Sequence, residues 1–452
     1  MLAGGCATRT YEARPIDPTK ASAQWRERSL ADPALLAWVD RMRGSPAGKI
    51  DAWGLPELTL ASLYLHPDLE LARARLRAAE AAQYSAGLPK SPRISGLVEH
   101  HSKADGISPW SIGVGLEMPI RTDARGEAQR EHSAALTEVV RLEVGAIAWQ
   151  VRNRLRAALI EHLAAEAQLA LLQSELDLRE EATRMIEARL VLGAASLSET
   201  GESRLQLGSA AMAYRAGVAA SHKTLAELAA ALGLPADALA AATLDPAAIT
   251  PPAERLLADD VQQAALLNRI DLRVGLAHYA AAEARLRLEI ARQVPEITLG
   301  PGFFFDQGDR IWSLGASLLL ALSDHNAGPI AEAEAQREVE GRRFLALQAR
   351  VIGEQAAALR AYRNALRQLE KAGTVERAAA EQVAAAERRV TAGQDDRLDL
   401  VRRRLERVLA GKALLAARFE TQRALGALED AVQQPLDGSA PLPDVFARND
   451  PS

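Results

Sequence analysis

Two stretches of more than a hundred residues contain no proline, one between Pro119 and Pro235 and the other between Pro329 and Pro435. Proline lacks an amide hydrogen and clashes with the preceding helical turn, so its absence over such lengths leaves room for very long helices. Ala, Leu, Glu and Arg fill both stretches and aromatics make up only 4 % of the chain, a composition typical of long helices and coiled coils. Each stretch has one interruption, Gly193-Ala194-Ala195-Ser196-Leu197-Ser198-Glu199 in the first and Gly393-Gln394-Asp395-Asp396 in the second. A glycine can end a helix, and Ser196 or Ser198 can cap the next. The pattern predicts helices over 123–192, 198–232, 327–392 and 396–433. The first would be about 100 Å long at 1.5 Å per residue, a length that calls for side-by-side packing with other helices. The last carries the stripe for it: Leu398, Val401, Leu405, Val408, Leu415 and Phe419 follow a heptad-like spacing broken by Lys412 and Gln422.

A pair of short alternating segments precedes each helical stretch. In 110–120, Trp110, Ile112, Val114, Leu116, Met118 and Ile120 alternate with Ser111, Gly113, Gly115, Glu117 and Pro119. Successive side chains of a strand point to opposite faces, so this segment has one apolar face and one small or polar face. The pattern returns in 311–322, where Trp312, Leu314, Ala316, Leu318, Leu320 and Leu322 alternate with Ser313, Gly315, Ser317, Leu319 and Ala321. Weaker partners lie just before, at 93–101 and at 296–305, the latter with Ile297, Leu299, Phe303 and Phe305 on one face. Each strand is close to the roughly 9–11 residues that cross a bilayer at a tilt. Trp110, Trp312, Phe303 and Phe305 suit an aromatic girdle at a membrane interface, or packing in a core.

The two halves repeat one another. The segment from Asp271 to Ala284 echoes that from Asp68 to Ala81, and Pro295-Glu296-Ile297 echoes Pro92-Arg93-Ile94 at a nearly constant offset. The organisation read from this is an N-terminal arm at 1–57, a first repeat at 58–234, a Pro-rich connection at 235–257, a second repeat at 258–435 and a loop-like tail at 436–452. The arm has Pro15, Pro18, Pro33 and Pro46 and one expected short helix at 34–42. Cys6, the single cysteine, cannot form an internal disulfide. The small residues before it resemble the lipidation site of a bacterial lipoprotein signal, with Ala3 at the usual aliphatic position. The charged and apolar parts of such a signal would require a start upstream of Met1; the other reading is a free thiol on a tail.

No run of eighteen apolar residues exists, which argues against a transmembrane helix but not against a β-barrel. A net charge of −5 without a basic face gives no reason to expect nucleic acid. No phosphate-binding loop, zinc-ligand spacing or nucleophile elbow is present, so neither an enzyme nor a cofactor is expected. His100 and His101 are adjacent on a strand and point to opposite faces, which makes them a poor metal pair.

Four strands alone leave exposed edges, an aggregation hazard, whereas three copies supply twelve strands and can close into a barrel. The order of strand pair, long helix, glycine turn and shorter helix, twice over, resembles the TolC-type outer-membrane factor family of efflux and secretion channels. The resemblance covers 58–436, and its most specific motif is Thr391-Ala392-Gly393-Gln394-Asp395-Asp396-Arg397-Leu398-Asp399-Leu400. It implies a mainly α chain with duplicated helical hairpins and four strands. It further implies a homotrimer in which a twelve-stranded barrel in outer-membrane lipid continues as a helical barrel through the periplasm. The implied partners are a periplasmic adaptor and an inner-membrane pump. In that family the periplasmic end carries a gate. Aligned on the glycines, Asp399 falls at a pore-facing acidic position, Ser198 and Glu199 fall at a polar pair that helps hold the gate shut, and Arg402 departs from the expected acid. Arg402 could pair with Asp399 or Glu199, or face solvent. Asp395, Asp396, Asp399 and Glu199 are also the acids that a helix dipole favours at a helix start. The alternative function is a coiled-coil periplasmic adaptor or scaffold without a pore, which should show one helical hairpin flanked by β modules rather than two hairpins in duplicated halves.

Overall fold

A computed structural model of the chain describes residues 10–43, 50–102, 108–120, 123–240, 242–246, 269–295, 297–318 and 325–436. Cys6 and the tail after residue 436 lie outside them, as do residues 247–257 of the connection, residues 258–268 at the start of the second repeat and residues 319–322 of the last expected strand. In chain order the elements are α1 (Pro18–Arg26), α2 (Pro33–Arg43), α3 (Leu55–Leu65), α4 (Pro67–Gly87), β1 (Arg93–His100), β2 (Trp110–Ile120), α5 (Asp123–Val191) and α6 (Leu197–Leu232). There follow α7 (Ala236–Leu239), α8 (Ile270–Ala291), β3 (Ile297–Asp306), β4 (Asp309–Leu318), α9 (Ala327–Thr391) and α10 (Arg397–Val432). The N-terminal arm holds a helix that no apolar period announces: α1 starts at Pro18, which suits a first helical position, and Asp17 caps it by accepting from the Thr19 and Lys20 amides. The expected helix at 34–42 extends to Pro33–Arg43, and α3 begins at Leu55, inside the span assigned to the arm.

The chain forms two compact units, each drawn from three separated segments, so the sequence repeats and the compact units divide the chain differently. One comprises 1–66, 151–251 and 364–426. Its core includes Leu35, Trp38, Leu58, Leu63, Leu228, Leu232 and Leu239. Arg28 stacks on Trp25 and donates to the carbonyls of Leu65 and Gly233, satisfying acceptors at the C-terminal ends of α3 and α6. A parallel bridge between Trp53 and Leu244 joins the arm to the segment after α7.

The other unit comprises 67–150, 252–363 and 427–452. Leu69 and Leu76 of α4, Val144 and Trp149 of α5, Leu286 and Leu288 of α8, and Tyr362 of α9 are buried in it. This unit contains the sheet, whose order is β1-β2-β3-β4 with every pair antiparallel. The strand pairs of the two sequence halves thus meet through β2 and β3. Pro301 has no amide hydrogen, and the β2–β3 ladder is interrupted near it, at Leu116 and Glu117. Asp306 pairs with Asp309 across a two-residue turn in which Gln307 and Gly308 have φ of 49° and 116°, the conformation a tight hairpin demands. No described helix is long and apolar enough to cross a membrane.

Candidate functional site

Two regions carry the residues singled out by sequence: the sheet in one unit, and the pair of glycine turns in the other.

Cross-strand register sorts the sheet into two faces. On the first, Ile112 pairs with Val98 and Phe305, and Val114 with Gly96 and Phe303, which pairs in turn with Trp312. Ile94, Val98, Ile112, Val114, Trp312 and Leu314 on this face are all exposed, Trp312 to 82 %. Trp110, Trp312, Phe303 and Phe305 all belong to it; Phe303 and Trp312 lie 4.8 Å apart, and His100 meets Trp110 edge-on at 4.7 Å. The second face runs in transverse rows. Glu99, Ser111, Asp306 and Asp309 form the row nearest the hairpin turn; Leu97, Gly113, Phe304 and Ile311 form the next, and Ser95, Gly115, Gly302 and Ser313 the one after. His101 lies 3.0 Å from the Ser111 hydroxyl, which donates to Asp306. His100 and His101 therefore serve opposite faces, and no group that could hold a metal occurs among the described residues.

A buried carboxylate ties the end of α8 to the start of α9. Glu289, near the end of α8, is 1 % exposed and receives Arg292 at 2.7 Å and Arg285 at 2.7 Å. The Asn326 amide donates to its carbonyl at 2.7 Å and to its carboxylate at 3.2 Å. Asn326 sits between β4 and α9 in the left-handed region, φ 61°, which asparagine tolerates better than most residues. Burial pushes the Glu289 carboxyl up, but the Asn326 and Arg292 hydrogen bonds and the charges of Arg292 and Arg285 outweigh it and hold the group below its ordinary value. His132 on α5 is pushed down by burial and then by Arg285 and Arg292.

The two glycine turns have the same geometry. Gly193 and Gly393 have φ of 71° and 69°, and the amides that follow them bond back to the carbonyls of Arg189 and Arg389 at 2.8 and 2.9 Å. This is the left-handed helix stop that glycine favours. Ser196 caps α6 by accepting the Glu199 amide, and Asp396 accepts the Leu398 amide at the start of α10. A small apolar cluster of Ala182, Ile186, Leu398, Val401 and Leu405 packs the end of α5 on the start of α10.

Around this core the predicted site residues are brought together in ion pairs. Asp396 pairs with Arg189, Asp395 with Arg389 at 3.0 Å and Glu181 with Arg397 at 3.3 Å. Arg402 faces Glu199 at 3.9 Å, whereas Asp399 faces Arg403 at 3.8 Å. Ser198 is exposed beside them. Sequence reasoning missed the most exposed feature of the first turn: Val191, Leu192 and Leu197 are 86 %, 81 % and 81 % exposed, while the corresponding positions of the second turn, Thr391, Ala392 and Arg397, carry no large aliphatic chain. Three aliphatic residues flanking a solvent-facing glycine turn were the available signal.

No family model matches the sequence, and no curated protein matches it. Solved structures do. The outer membrane protein VceC of Vibrio cholerae matches at a TM-score of 0.69 and 17 % identity over 85 % of this chain and 97 % of its own. The CmeC outer membrane channel of Campylobacter jejuni matches at 0.68 and 16 % identity, covering 94 % and 93 %. The open state of the MtrE outer membrane channel of Neisseria gonorrhoeae matches at 0.64 and 18 % identity, covering 84 % and 89 %. With its four-stranded antiparallel sheet and its paired glycine-turn hairpins, the chain has the fold of the TolC-like outer-membrane efflux channels.

Proposed function

We infer that three copies of this chain form a passive export channel in a bacterial outer membrane. The observation that carries the reading is the sheet, with one exposed apolar face, one small or polar face, and β1 and β4 as its edges. Three such sheets joined edge to edge make a closed twelve-stranded barrel, with the apolar face toward lipid and the small face toward water. The aromatic residues of the apolar face then lie at the membrane interface, and the long helices form a second barrel through the periplasm. The chain has no catalytic task; energy comes from an inner-membrane pump and solutes arrive through a periplasmic adaptor. Protein extracted in detergent from the outer-membrane fraction should have the mass of a trimer. A soluble monomer would overturn the reading.

The turns supply the adaptor contact and the gate. Val191, Leu192 and Leu197 offer an exposed aliphatic patch that a partner helix can cover. Replacing all three by Ser should leave the trimer intact and abolish co-purification with the adaptor; retained co-purification would remove the patch from the interface. The acids Asp395, Asp396, Asp399 and Glu199, with Ser198 and Arg402, form the polar collar of the gate, in which the Arg402–Glu199 contact ties the two turns of one chain together.

A further inference from the structure

Phe304 departs from the pattern of the sheet's second face. Its neighbours in β3, Phe303 and Phe305, belong to the apolar face, while Phe304 points the other way, into a surface otherwise rich in Gly and Ser. The Cδ1–Cε1 edge of its ring sits over Gly113, where a Cβ would collide with both atoms, and a Cβ on Gly302 would come within 3.1 Å of Cε2. The two glycines are the space the ring occupies. Its transverse row is also the apolar one, completed by Leu97 and Ile311, which are 47 % and 44 % exposed. On one side of this row stand Glu99, Ser111, Asp306 and Asp309, and on the other Ser95, Gly115, Gly302 and Ser313. All four strands join helices at the opposite end of the sheet, so the Phe304 row lies toward the two hairpin connections.

We propose that Phe304, held against the wall by Gly113, sets the size limit for solutes at the outer mouth of the channel. The inference rests on the channel reading above, in which the second face lines the passage. Three copies place three rings in one apolar collar just inside an acidic rim. A ring that can settle its edge onto a glycine takes up less of the bore than one propped off the wall by a side chain. Gly113 thus determines how far the collar narrows the passage, and Phe304 supplies the narrowing.

The test introduces Ser313→Cys, one row deeper than Phe304, and labels intact cells from outside with membrane-impermeant maleimides of small and bulky size. The parent chain, whose single cysteine is Cys6, gives the background. The small reagent should label S313C readily and the bulky one about tenfold more slowly, since passage is governed by bore and lining. Adding F304A should bring the bulky reagent up to the rate of the small one. Adding G113A instead should slow the small reagent, because the new methyl forces the ring off the wall, and F304A should reverse that slowing in the double variant. Equal rates with Phe304 and with F304A would overturn the assignment while leaving the channel standing. If the small reagent labels S313C in detergent but in no variant on cells, the second face is not a passage, and the channel reading fails together with this one.

Discussion

At the scale of single residues, Glu289 carries the largest electrostatic consequence. A carboxylate 1 % exposed is tolerable only because two arginines and one amide surround it. Its carboxyl is held below the ordinary value, so the stability it contributes is present above the unfolded-state carboxyl range and is lost as pH falls from that range through the lowered folded value. The lowered imidazoles of His132 and His162, both desolvated, act earlier on the way down. Their unfolded forms take up protons more readily than the folded ones, so acid destabilises the fold from about the ordinary histidine range, near pH 6.5. Thermal unfolding of the detergent-solubilised protein should therefore weaken in two steps as pH is lowered, the second below about pH 4.5. Glu289→Gln should lower stability by about 1–3 kcal/mol at neutral pH and make the second step shallower. A variant with an unchanged acid profile would show that the Arg285–Glu289–Arg292 cluster is not the sensor. None of this was legible in the sequence. Glu289 follows Arg285 at helical spacing like many surface acids of the chain, and only the left-handed Asn326 between β4 and α9 turns it into an anchor.

At the scale of elements, the two glycine turns show why local signals were readable and their pairings were not. Gly193 and Gly393 fix the helix ends, because a left-handed stop is a backbone property that glycine announces in any context. The bounds of α5, α6, α9 and α10 fall within a residue or so of those expected. Which charge meets which depends on packing. Arg402 was open to Asp399 or Glu199, and it faces Glu199 because Leu398, Val401 and Leu405 commit one face of α10 to the apolar cluster, leaving Arg403 beside Asp399. If these pairs belong to a gate, Arg402→Ala should raise single-channel conductance in a planar bilayer by loosening the contact between turns. Asp399→Ala should weaken block by divalent cations added from the helical side. Conductance and block unchanged in both variants would leave the acids as helix-start residues placed by the dipole alone. The helix at Pro18–Arg26 was missed for a different reason: it buries none of its residues, so no apolar stripe marks it, and its evidence is confined to Asp17 and Pro18.

At the scale of the whole molecule, the alternation of the strands decides what the chain can be. A period of two puts neighbouring residues on opposite faces, so a single position separates lipid from water in the barrel reading. The sequence halves each show this alternation, but only the pairing of β2 with β3 makes it one continuous face, with Val114, Phe303 and Trp312 in a line across three strands. Leu314 and Ser313 lie midway along β4, adjacent in sequence and on opposite faces. In that reading an arginine at Leu314 would face hydrocarbon just inside the aromatic girdle, at a cost of about 1–3 kcal/mol in each subunit, between the interface and midplane values. In the proposed trimer that cost is incurred three times, and Leu314→Arg should deplete the protein from the outer-membrane fraction. Ser313→Arg puts the same charge on the same strand but on the face that the channel reading turns to water, where solvation would be retained. That variant should assemble in normal amounts and show altered ion selectivity. Equal depletion of both would mean that the small face is packed against protein rather than water. Equal tolerance would mean that the apolar face meets no lipid, and that three sheets do not close into a membrane barrel.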